Sequence, residues 1–153
     1  MQELIVMQKL NLPEYQFQIK LSGQSKQIFD KLRGKYVALT PEEWVRQNFI
    51  LFLSEEKKYP VGLFSVERGV KVNELNKRTD LVIYDREKKP WMLVEFKAHD
   101  VPVTQEVFYQ AARYNLAHNV PYMVVSNGIE HYCCKMTATS FEFMDDLPEF
   151  PVR

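Results

Sequence analysis

Arg78-Thr79-Asp80-Leu81-Val82-Ile83-Tyr84, followed after a charged stretch by Trp91-Met92-Leu93-Val94-Glu95-Phe96-Lys97, is the part of the chain that decides the fold. Both runs are apolar and rich in β-branched or aromatic residues. Between them, Asp85-Arg86-Glu87-Lys88-Lys89-Pro90 is charged and ends in proline, so the pair reads as two strands joined by a loop. Residues two apart on a strand share a face, which puts Glu95 and Lys97 on the same side. A hairpin turning near Lys88-Lys89 brings Asp80 opposite the end that carries Glu95. Two carboxylates and an ammonium then converge at one end of a sheet.

Working outward, residues 61–66 read as a further strand before this pair, and Thr40-Pro41-Glu42-Glu43 as a helix start. Threonine is the N-cap, proline takes the first helical position, and Glu43 completes a capping box. Trp44, Val45, Phe49, Ile50, Phe52 and Leu53 form the apolar stripe of a helix ending near Ser54. A second helix fits residues 104–118. Residues 121–125 are another strand, Asn127-Gly128 is a hairpin signal, and residues 129–136 read as an edge strand. At the N-terminus, Tyr15, Phe17, Ile19 and Leu21 alternate with polar residues, Ser22-Gly23 turns the chain, and residues 26–30 return, giving a β-hairpin extension over residues 1–38. The core at residues 40–136 is then helix, three strands, helix, strand around a central mixed sheet. Residues 137–153 read as an acidic tail. The expectation is one α/β domain.

At 153 residues the chain is long enough for one domain with a core and too short for two ordinary ones. Its 46% apolar and 26% charged residues exclude disordered and fibrous classes. The net charge is zero but unevenly spread: residues 1–40 sum to +3 and residues 141–153 to −3, so the N-terminal end is the one able to face phosphate. No apolar run approaches the ~18 residues of a membrane span. The early Glu3 and short apolar start do not fit a signal peptide. Cys133 and Cys134 are adjacent, which disfavours a disulfide between them, and read as reduced thiols of a cytoplasmic protein.

Convergent carboxylates with a lysine suit metal-dependent phosphodiester hydrolysis: hard oxygen ligands hold Mg²⁺ (or Mn²⁺), and the lysine orients the nucleophile or stabilises developing charge. The Glu-x-Lys spacing alone says nothing, since it occurs four times, at Glu55, Glu56, Glu87 and Glu95. Only the last follows an apolar strand with an aspartate at hairpin distance upstream. The same spacing equally fits a solvated strand face with a cross-strand salt bridge to Asp80.

Asp80 followed by Glu95-Phe96-Lys97 resembles the PD-(D/E)XK nuclease superfamily, whose core is helix, three strands, helix, strand. Gln110-Ala111-Ala112-Arg113-Tyr114 is similar to the glutamine-x-x-x-tyrosine motif of its RecB-like branch, although Gln105 and Tyr109 have the same spacing. With Leu39-Thr40-Pro41-Glu42-Glu43-Trp44-Val45-Arg46-Gln47 and Ser126-Asn127-Gly128, the chain resembles the N-terminal domain of type I restriction enzyme R subunits over most of residues 10–140. The resemblance implies Asp80 and Glu95 as metal ligands, with the Phe96 carbonyl as a third, and Lys97 as the catalytic lysine. It implies that Glu43 adds to the metal shell, the other reading being the capping box alone. Gln110 would position DNA or the active-site water, supported by Tyr114, for which helix–sheet packing is the other reading. Thr79 replaces the proline of the family's name.

Lys77 and Arg78, with Lys71, Lys88 and Lys89, flank the strand ends and are candidates for a DNA-facing basic edge. Arg46 and Arg113 would contact phosphate or pair with the carboxylates. His99, His118 and His131 lack metal-ligand spacing and read as surface-loop residues. No Gly-x-x-x-x-Gly-Lys-Ser/Thr sequence is present. A DNA-cleaving chain of this kind then acts alone, as a homodimer for a double-strand cut, with a motor or restriction-complex subunit on another polypeptide, or as part of a longer chain. The alternative is a non-catalytic module of the same fold that binds DNA or such a partner, with no membrane association in either case.

Overall fold

A computed structural model of the chain describes residues 7–66, 80–116 and 119–152. The N-terminal extension is a three-stranded antiparallel sheet, not a two-stranded hairpin: β1 (Ile19–Ser22), β2 (Ser25–Asp30) and β3 (Lys35–Ala38). The third strand follows a turn in which Asp30 Oδ1 accepts the N–H groups of Leu32 and Arg33 at 2.8 and 3.2 Å and Gly34 adopts φ +66°. The first strand begins at Ile19, four residues later than the alternation suggests.

The helix α1 (Pro41–Leu51) starts as anticipated, with Thr40 extended and its Oγ1 accepting the Glu43 N–H at 3.0 Å. A wider turn continues it through Phe52–Glu56. The reciprocal half of the capping box is not made. The Thr40 N–H bonds the Ala38 carbonyl at 3.1 Å, and the Glu43 carboxylate is drawn instead to arginine and glutamine side chains.

A mixed six-stranded sheet follows in chain order: β4 (Phe64–Val66), β5 (Leu81–Tyr84), β6 (Pro90–Phe96), β7 (Tyr122–Ser126), β8 (His131–Met136) and β9 (Phe141–Met144). Residues 61–63, expected as strand, form a 3-10 turn that leads into β4. All pairs are antiparallel except β6–β7, which the helix α2 (Gln105–Leu116) connects as a crossover. Alternation along the strands divides the core. Met92, Val94, Phe96, Leu81, Ile83, Val124 and Cys133 pack toward Val45 and Phe49 of α1 and Leu53 of the turn that continues it. Met123, Val125 and Cys134 pack toward Phe108 and Ala112 of α2. No helix among the described residues is long and apolar enough to cross a membrane.

Two expectations about the C-terminal part need correcting. Strand β8 is not an edge, because β9 pairs along it from Cys133↔Met144 to Met136↔Phe141. The acidic stretch is also not a loose tail: beyond β9, Leu147 and Phe150 pack on the α1-side core. Phe150 packs edge-on to Trp91 at 5.0 Å, and the buried Tyr59 hydroxyl donates to the Pro148 carbonyl. The acids of this stretch alternate with apolar residues that find partners, which composition alone conceals. Phe150→Ala is therefore expected to lower stability by about 1–3 kcal/mol, whereas Asp145→Asn and Asp146→Asn stay within about 0.5 kcal/mol. Urea unfolding of the three variants measures the difference.

Candidate active site

Strand β6 outruns β5. Leu81 pairs with Val94, so Phe96 extends past the start of β5 with its N–H on the β5 side, and the Asp80 carboxylate takes that donor through Oδ2 at 2.8 Å. The next N–H, that of Lys97, points the other way and bonds the Ser126 carbonyl of β7 at 2.9 Å. These two bonds satisfy the last donors of the strand and hold both sides of the end from which Glu95 and Lys97 project. As the period-two rule requires, Glu95 and Lys97 share a face, and Glu95 Oε1 lies 3.3 Å from Lys97 Nζ. With side chains 40% and 33% exposed, this pair adds little stability, on the order of 0–1 kcal/mol. Both groups stay accessible to solvent.

Asp80 is more enclosed, with 19% of its side chain exposed. Burial pushes its carboxyl up from 3.8 to about 6. The nearby Glu42 and Glu95 add to the rise, and the Phe96 N–H and the Arg46 guanidinium oppose it. Arg46 approaches Asp80 Oδ1 through Nη2 at 3.3 Å. Its other terminal nitrogen, Nη1, donates to Glu43 Oε1 at 2.5 Å. Arg33 Nη2 reaches the same oxygen at 2.9 Å, Gln47 Nε2 donates to Glu43 Oε2 at 2.8 Å, and Arg33 Nε closes on Asp30 Oδ2. Asp30, Glu43, Arg46 and Gln47 are all buried. Charges thus alternate from Asp30 through Arg33, Glu43 and Arg46 to Asp80.

Of the residues singled out from sequence, Asp80, Glu95 and Lys97 come together. Glu43 joins them through Arg46, both of its oxygens being engaged by Arg33, Arg46 and Gln47. Among the described residues no three His, Cys, Asp or Glu side chains form a metal-sized cluster, so Asp80 and Glu95 stand as a pair. Gln110 and Arg113 are exposed on α2, and among the described residues Gln110 makes no hydrogen bond to the carboxylates or to Lys97. Gln105 Nε2 donates to Tyr109 Oη at 3.0 Å on the surface of α2. The side chain of Tyr114 and residues Lys71, Lys77, Arg78, Thr79 and His118 lie outside the described part of the structure. Lys88 and Lys89 lie in the β5–β6 turn, a strand's length from Asp80, so they do not share the carboxylate end. His131 is not a loop residue. It sits on β8 with Nδ1 2.6 Å from Ser126 Oγ, Nε2 2.9 Å from the Asn11 carbonyl, and its ring 5.4 Å from that of Phe49. Cys133 and Cys134 are buried and form no disulfide, and burial raises each thiol to about 12, leaving them unreactive near neutrality.

The sequence reading passed over Asp30, Arg33 and Gln47. The one signal present was Asp30-Lys31-Leu32-Arg33-Gly34, an aspartate-led turn whose arginine spacing allows an ion pair across it.

The fold and this strand end define an α/β domain with a carboxylate pair and a lysine at one sheet terminus. The family model for the N terminus of type I restriction enzyme R proteins (HSDR_N) matches residues 41–148, and the chain belongs to that family. No curated protein matches it.

The raised Asp80 carboxyl has a consequence for stability. A folded-state value above the unfolded one means that the folded protein binds more protons between about pH 4 and 6, so this group's contribution falls as pH rises through that window. Asp80→Asn keeps an acceptor for the Phe96 N–H and removes the buried charge. Without divalent cations it is expected to match wild type near pH 4 and to exceed it by about 1–3 kcal/mol near pH 7.5, measured by urea unfolding at both.

Proposed function

We propose that this domain hydrolyses DNA phosphodiesters with Mg²⁺ or Mn²⁺, on the restriction-endonuclease-like core of the PD-(D/E)XK superfamily. The observation that carries the reading is the Asp80 carboxylate fixed by the Phe96 N–H beside Glu95 and Lys97. The element order α1, β4-β5-β6, α2, β7 supports it, as does membership of a type I restriction family.

The donor set fits a hard divalent cation: two carboxylates, with the Phe96 carbonyl as the third oxygen. Among the described residues, Asp80 Oδ1 is engaged only by the long 3.3 Å contact to Arg46. When bound, the cation supplies polarisation of the phosphate and a more acidic water. Asp80 and Glu95 would hold it, and Arg46 keeps the Asp80 carboxylate oriented from behind. Lys97, half-buried on the Glu95 face with its ammonium reachable by solvent, binds the scissile phosphate and offsets the charge that builds as water attacks in line with the departing 3′ oxygen. In this reading Gln110, Arg113 and Tyr114 of α2, with Lys77 and Arg78 ahead of β5, contact the DNA. Binding there depends strongly on salt. A motor, where one is used, lies outside this domain, on another polypeptide or in a longer chain, and a homodimer would supply the second cut of a duplex. A DNA substrate and buried, unpaired cysteines suit a cytoplasmic location.

Mn²⁺ titration by calorimetry, with plasmid nicking on the same samples, tests the reading. Asp80→Ala and Glu95→Ala are expected to lose both saturable binding and nicking, while Lys97→Ala keeps binding and loses about 10²-fold or more in nicking. Wild type that neither binds the cation nor nicks overturns the proposal. Because the Asp80 carboxyl sits at about 6, Mn²⁺ affinity should weaken about tenfold between pH 7 and pH 5 as a proton competes for the site.

A further inference from the structure

Ser126-Asn127-Gly128, at the turn after β7, collects contacts from several parts of the chain. The Ser126 carbonyl holds the Lys97 N–H at 2.9 Å. The Asn127 side chain is buried and divides its work. Its Oδ1 accepts the N–H groups of Ile129 and Glu130 at 2.9 and 2.8 Å, shaping the turn, and its Nδ2 donates to the Val101 carbonyl at 2.8 Å. The partners define the amide's orientation, because the reversed amide would set its NH₂ against two N–H donors. At Gly128, φ is +88°, and an added Cβ would stand 2.7 Å from Leu10 Cδ2, so the turn sits tightly against the core.

The segment following Lys97 depends on this turn. From Lys97 to Pro102 the chain is out of the sheet, and Asp100 and Val101 are exposed. Within it the Val101 N–H bonds the Ala98 carbonyl at 3.0 Å, and only at Val103 does the chain enter the core under α2. Ser126 therefore holds the start of the segment, and Asn127, the next residue, holds its middle.

We propose that Asn127 is a positioning residue for Lys97. By tying Val101, it sets the path on which the chain leaves β6 and hence the place of the Lys97 ammonium beside Glu95. The catalytic part of this inference rests on the nuclease reading of Lys97. Asn127 itself touches neither substrate nor cation.

Asn127→Asp separates the two halves of the side chain's work: it keeps both acceptor bonds of the turn and cannot donate to Val101. In protein carrying ¹³C-labelled lysine, the ε-methylene signal of Lys97, assigned by its loss in Lys97→Ala, is expected to shift and broaden in Asn127→Asp. Amide hydrogen exchange should rise over residues 98–101 while Ile129 and Glu130 stay protected. Nicking is expected to slow about tenfold in kcat, with KM and Mn²⁺ affinity unchanged. In the Lys97→Ala background the Asp substitution should cost nothing more, as required of a residue that acts through Lys97. An unmoved Lys97 signal overturns the proposal whether or not the protein cleaves DNA, and so does a fully additive loss in the double variant. Wild type without nicking, but with the Lys97 signal displaced in Asn127→Asp, defeats the nuclease reading and leaves the positional claim standing.

Discussion

Asp30, Arg33, Glu43, Arg46 and Asp80 form a line of alternating charge that runs from the turn after β2, through the first turns of α1, to the start of β5. From Asp30 to Arg46 each buried charge is held by its neighbours, and removing one partner there leaves an uncompensated charge, at a cost of about 3–5 kcal/mol. At Asp80 burial outweighs the long contact to Arg46, so the cost does not extend to that end of the line. The line joins the N-terminal sheet, α1 and the β5–β6 hairpin, and ends on the carboxylate that the Phe96 N–H also holds. The position of Asp80 is thus set from two sides, by a sheet donor in front and a guanidinium behind. The same enclosure lifts its carboxyl to about 6, close enough to neutrality for a cation or a pH change to alter its charge.

The reason for so much buried charge lies in what surrounds α1. Val45 and Phe49 face the six-stranded sheet, yet Glu43, Arg46, Gln47 and Asn48 are also buried. Chain from the N-terminal part covers the helix where an isolated amphipathic helix would meet water: Phe17 packs edge-on to Trp44 at 5.2 Å, the Trp44 indole N–H bonds the Gln8 carbonyl, and Arg33 reaches Glu43. Polar side chains placed for solvent by their helical phase are instead paired with one another, and those pairs connect to the candidate site.

What could be read from the sequence follows from the range of the interactions involved. Thr40-Pro41, the two apolar runs about Asp80 and Glu95, and the helix expected over residues 104–118 depend on local periodicity and capping, and each forms an element there, the described part of that helix being Gln105–Leu116. The convergence of Asp80, Glu95 and Lys97 was also legible, because one hairpin register and the period of a strand determine it. Strands β3 and β9 were not legible. Each is four residues long, and each exists because a neighbour supplies its ladder. Phe150 reads as part of an acidic tail because its partners, Tyr59 and Trp91, lie far away in the chain. The reciprocal half of the Glu43 capping box fails for a similar reason: the box is a local pattern, and Arg33, ten residues upstream on another element, competes for the carboxylate.

The central claim is that the Asp80–Glu95 end of the hairpin binds a divalent cation. Anomalous diffraction from crystals soaked in Mn²⁺ tests it most directly. The expected result is a single strong peak within bonding distance of Asp80 Oδ1 and a Glu95 carboxylate oxygen, absent from Asp80→Ala crystals. A map with no peak there, from protein that nicks DNA in the same Mn²⁺ solution, would contradict the claim and move the catalytic centre elsewhere.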